Sequence, residues 1–114
     1  MRALTNRNTV FVDMPRCEDV VEAIEDFCRH LILRKKGTCI VLDTKRMGDF
    51  LGRELKPIEC SVVCYYFEKL IRKLDGIVWH VKNGHSRRFL IDRENLTHVL
   101  NNGGLKPLLM GDEA

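Results

Sequence analysis

At Asp75-Gly76 the hydrophobic period of the chain changes from that of a helix to that of a strand. Upstream, Val62, Val63, Tyr66, Phe67, Leu70, Ile71 and Leu74 recur at helical spacing and predict a helix over about Glu59–Leu74 with a wide apolar face. Downstream, Ile77–Val81 and Ser86–Ile91 read as strands. They flank Lys82-Asn83-Gly84-His85, and Asn-Gly between two such runs is a strong local signal for a tight hairpin. Placing Ile77, Trp79 and Val81 toward the core with Phe89 and Ile91 would leave His80, Lys82 and Arg88 outside and Arg87 near the hairpin end. Trp79 then reads as a core anchor.

Helical periodicity also dominates the first third of the chain. Val20, Val21, Ile24, Phe27, Cys28, Leu31 and Ile32 form one stripe, preceded by Asp13 as a possible cap and by Pro15. Acidic residues fill the first half of this helix and Arg34, Lys35 and Lys36 its end, as the helix dipole favours, and Gly37 supplies the stop. Thr38–Leu42 reads as a short strand. A second helix over Lys45–Leu55, capped by Thr44, places Met47, Phe50, Leu51 and Leu55 on one stripe and ends at Lys56-Pro57. Beyond the hairpin, Asp92 can cap a short helix through Leu96, Val99 and Leu100, with Leu105–Met110 left as an apolar tail. Thr9–Asp13 reads as a small strand or an extended arm. His30 and His98 are ordinary helical residues.

With 114 residues, 45% of them apolar, the chain is the size of one α+β domain spanning 1–114. No stretch approaches the roughly 20 apolar residues of a membrane span, and no apolar signal core opens the sequence. A cytoplasmic protein is expected, nucleoid-associated if its source is prokaryotic or viral. Cys17, Cys28, Cys39, Cys60 and Cys64 form an odd set without a CxxC pair, so reduced, packed thiols are expected, one intramolecular disulfide being the alternative. Cys60 and Cys64 with His80 and His85 make a poor zinc set, because structural zinc ligands sit on tight knuckles.

Helix, short strand, helix, tight turn, helix and two-stranded hairpin, in that order from Val20 to Ile91, resembles the winged helix-turn-helix family of DNA-binding domains. Lys56-Pro57-Ile58-Glu59 stands as the turn, Asp75-Gly76-Ile77 as the entry to the wing, and Asn83-Gly84 as its tip. The resemblance implies a helix-turn-helix at about 44–75 and a wing at about 76–92, with Thr38–Leu42 added to the wing's edge. The long first helix, a short C-terminal helix, an arm at 1–14 and a tail at 103–114 complete the three-helix core.

It further implies that Cys60–Leu74 enters a major groove while the wing meets backbone or minor groove. Ser61, Tyr65, Glu68, Lys69 and Arg72 then face outward, with Ser61, Tyr65, Lys69 and Arg72 available for base edges. Glu68 cuts both ways, since a carboxylate is unfavourable beside phosphate yet can accept from cytosine. Phosphate contacts fall to Lys45 and Arg46, with Arg53 and Lys56, and to the wing residues Lys82, Asn83, His85, Arg87 and Arg88.

Charge is distributed accordingly: Thr44–Glu94 carries 11 basic and 7 acidic residues, whereas the rest of the chain carries 8 and 9. Double-stranded DNA is the expected partner, and a homodimer paired through the first helix or the C-terminal segment is the expected assembly. The alternative is a winged-helix module for protein contacts, using the acidic first helix and the apolar tail. No phosphate loop, nucleophile elbow or HExxH pair is present, so a non-enzyme without cofactor or metal is expected.

Overall fold

The computed structural model describes residues 17–80 and 87–110. Helix α1 (Cys17–Arg34) leads into strand β1 (Cys39–Leu42), and α2 (Thr44–Leu51) and α3 (Pro57–Lys73) follow. Strands β2 (Ile77–His80) and β3 (Arg87–Asp92) come next, then α4 (Arg93–Asn101) and α5 (Lys106–Met110). The fold is α+β, with five helices among the described residues and one antiparallel sheet in the order β1-β3-β2. β1 therefore does join the hairpin on the edge of β3, pairing Ile40 with Ile91 and Leu42 with Phe89. No described helix is long and apolar enough to cross a membrane.

Local chemistry explains the boundaries. α2 is capped by Asp43 rather than Thr44: the Asp43 carboxylate accepts from the Arg46 N–H at 2.7 Å. α2 also stops four residues earlier than its apolar stripe predicts, because Gly52 takes a left-handed conformation (φ 83°) that closes the last turn. Leu55 is still buried, but on the connection. Pro57 begins α3, where its missing N–H costs nothing, and the Lys56 N–H is satisfied by the Glu59 carboxylate at 2.6 Å. After α3, Gly76 passes so close to its neighbours that an added Cβ would meet Ile71 Cδ1 at 2.5 Å and the Leu90 carbonyl at 2.6 Å. Asp92 caps α4 as expected, accepting from the Asn95 N–H at 3.1 Å.

The buried apolar side chains form one cluster between the helices and the inner face of the sheet. Phe67 of α3 sits at its centre, 6.3 Å from Phe27 of α1 and 5.5 Å from Phe89 of β3, the latter edge-on. These rings join the long helix, the helix after the turn and the hairpin.

Two expectations about packing are corrected. On β2, Ile77 and Trp79 point outward, being 65% and 58% exposed, while Val78 packs on the core. Register is the reason: Val78 pairs with Phe89, whose side chain is inward, so Ile77 and Trp79 fall on the other face with Leu90 and Arg88. Leu105–Met110 is likewise no free tail. Leu105 and Leu109 are fully buried, and α5 lies against both α1 and α3. The Leu105 N–H donates to Glu25 at 2.8 Å, and Lys106 pairs with Glu18 at 2.9 Å. The arm Thr9–Asp13, the cap at Asp13 and the hairpin tip at 81–86 lie outside the described residues.

Candidate nucleic-acid interface

Only some of the α3 residues expected to face outward do so. Ser61, Tyr65 and Arg72 are exposed on its outward stripe, and Ile58 joins them near its start. The Ser61 hydroxyl donates to the Pro57 carbonyl one turn back, at 3.3 Å. The Tyr65 ring leans edge-on against Tyr66, with centroids 5.0 Å apart, and the residue remains half exposed.

Lys69 does not belong to this surface. It is 7% exposed, and its ammonium donates to the Leu109 carbonyl at 2.8 Å, so it holds the end of α5 against α3. Helical spacing placed Lys69 at the rim of the polar face, and the fifth helix then covered that rim.

Most of the basic residues read as phosphate contacts are held by acceptors of this chain. Arg87 donates to Glu68 at 2.9 Å, with its guanidinium 5.5 Å from the Phe89 ring centroid, and so ties β3 to α3. Glu68 and Arg87 together present little net charge. Arg46 pairs with Asp43, and Arg88 Nε lies 3.8 Å from the same carboxylate. Asp43 thus caps α2 and receives two guanidiniums, one from its own helix and one from the hairpin. Arg53 is gripped by Glu59 through its two terminal guanidinium nitrogens, which donate at 3.0 and 2.8 Å. Arg93, the first residue of α4, donates to the Ile32 carbonyl at 2.6 Å and to that of Lys35, closing the end of α1. Lys45, Lys56, Arg72 and Lys73 are the exposed cations of α2, the turn and α3. Lys82, Asn83 and His85 lie outside the described residues.

The Glu59 carboxylate is 1% exposed, yet it titrates below the usual carboxylate range: burial pushes it up, and hydrogen bonds from Arg53 and the Lys56 N–H more than reverse that. The same pair holds Arg53 above its ordinary value, chiefly through the hydrogen bond to Glu59. Cys28, Cys39, Cys60 and Cys64 are free thiols. Burial raises Cys64 despite the neighbouring Arg87, and burial raises Cys28 further, so both are protonated and unreactive at neutral pH.

A cleft of about 730 Å³ opens between α2 and the start of α3, lined among others by Lys45, Gly48, Arg53, Leu55 and Cys60. Concavity was not legible in the sequence; it arises because Gly48 lets the backbone of the turn pass close to α2. An added Cβ there would meet the Arg53 carbonyl at 2.7 Å. The cleft contains no histidine, and among the described residues no cluster of three metal-ligating side chains occurs.

What sequence reasoning missed is the outward Trp79 and the bridging role of Asp43. Cross-strand register locates the first and the i,i+3 spacing of Asp43 and Arg46 hints at the second. Searches for known relatives add nothing to this geometry: no family model, no curated protein and no solved structure matches the chain.

Proposed function

We propose that the chain binds duplex DNA as a winged helix-turn-helix protein, regulating transcription, with α2 and α3 as the helix-turn-helix and β2–β3 as the wing. The observation that carries this reading is the stripe of Ser61, Tyr65 and Arg72 on α3, exposed and preceded across the turn by exposed Lys45 and Lys56. A helix with its apolar side fixed on the core and hydrogen-bonding groups outward matches what a major groove admits. The sheet order β1-β3-β2 and the local charge excess of Thr44–Glu94 agree with it. Pairing with a second copy falls to the outer face of α1, since the C-terminal segment is part of the core.

Lys45 and Arg72 should carry the duplex phosphate contacts, rather than Arg87, which Glu68 neutralises, or Arg88, which lies with Trp79 on the other face of the sheet. Lys45→Ala with Arg72→Ala is expected to weaken binding to every duplex and to lower the slope of log K against log salt by about 2. Arg87→Ala with Arg88→Ala should change that slope less. Fluorescence anisotropy with a random duplex pool over a salt series measures both, and sequencing the bound fraction reads any preference conferred by Ser61 and Tyr65. Absence of binding at low salt would overturn the duplex reading. It would leave the protein-contact alternative, whose surface is the acidic outer side of α1.

A further inference from the structure

The sheet has a second face, turned away from α3, and its composition follows from register. Leu90 pairs with Val41 on one side and Ile77 on the other, forming an apolar row. Next to it runs a mixed row in which Trp79 of β2 pairs with Arg88 of β3, and Arg88 reaches Asp43 at the end of β1. Arg46 shares that carboxylate, so two guanidiniums meet one anion and the row is net positive. Ile77 and Trp79 remain largely exposed on an edge strand.

Leaving an indole and an isoleucine in water is costly. Among the described residues, the exposed parts of Ile77 and Trp79 with half-buried Val41 and Leu90 offer an apolar area on the order of 300 Å². That area, with a net positive row beside it, matches one flat heteroaromatic ring attached to an anion. We propose that this outer face binds single-stranded DNA, stacking an unpaired base on Trp79 and placing the adjoining phosphate against Arg88 and Arg46. Asp43 holds both guanidiniums on the β1 side of Arg88, across β3 from the indole. The apolar row Val41–Leu90–Ile77 lies where the sugar follows the base, and it favours deoxyribose because a 2′-hydroxyl would lose water there. The site is separate from the stripe on α3, so it does not rest on the duplex reading.

Trp79 is the only tryptophan of the chain, which makes its emission a direct report. An oligo(dT) strand of about 12 nucleotides, titrated at low salt, is expected to quench that emission. Trp79→Ala should weaken oligo(dT) binding about tenfold, measured by anisotropy of the labelled strand, whereas Trp79→Phe should retain most of it. Because Trp79 is exposed, circular dichroism should show the wild-type fold in both variants. Unquenched emission at saturating oligo(dT), or equal affinity in Trp79→Ala, would overturn the proposal. So would oligo(U) binding as tightly as oligo(dT), or a blue shift with rising protein concentration alone, which would give the face to a second copy.

Discussion

Glu59→Gln is expected to lower folding stability by about 3 kcal/mol, although nothing in the sequence marks this glutamate as more than a helix-start acid. Its carboxylate accepts from the two terminal guanidinium nitrogens of Arg53 and from the Lys56 N–H, and it is 1% exposed. Replacing the charge keeps the volume but leaves Arg53, a quarter exposed, without its anion in a partly desolvated turn. Residual exposure of Arg53 places the cost at the lower end of the range for breaking buried pairs.

The sign of the pH dependence follows from the depressed titration of Glu59. A carboxyl that ionises more readily folded than unfolded contributes fully above its unfolded value, and that contribution is lost as pH falls through the folded one. Wild type should therefore lose stability progressively below about pH 4.3, and Glu59→Gln should show a flatter curve there. Urea midpoints at several pH values decide it. Parallel curves, or equal midpoints at neutral pH, would show that the pair contributes nothing.

Element types were largely readable because each rests on local spacing: the α1 stripe, the change of period at Asp75-Gly76 and the cap at Asp92 all involve residues within one or two turns. Partners were not readable, because they join distant segments. Arg87 finds Glu68 nineteen positions away and Lys69 finds Leu109 forty positions away, so cations counted as solvent-facing are internal ties. β2 failed for a different reason. In Ile77-Val78-Trp79 both parities are apolar, so alternation could not choose a face, and only the pairing of Val78 with Phe89 decides it. The site was affected most, since a binding surface is whatever remains after these ties are made. Among the described residues this leaves the exposed Lys45, Lys56 and Arg72 and, on the far side of the sheet, the Trp79 indole, while Lys82, Asn83 and His85 lie outside them.

Leu105→Ala with Leu109→Ala should be the most damaging of the substitutions considered, at about 6 kcal/mol. Each leucine is buried to 1% exposure or less, and deleting such a side chain costs about 2–5 kcal/mol through lost transfer energy and the cavity left behind. Their neighbours overlap, so the sum is less than strictly additive. Even so, it approaches the whole stability of a domain this size, about 5–15 kcal/mol. A solvated apolar tail would lose only about 0.5 kcal/mol from the same changes. The leucines also fix the carbonyl that receives Lys69, and loosening α5 would leave that ammonium buried without it. Lys69→Met should accordingly be better tolerated in the double variant than in wild type, an interaction that a double-mutant cycle in urea measures directly. A double variant melting within a few degrees of wild type would return Leu105–Met110 to the surface and with it the option of a C-terminal partner site.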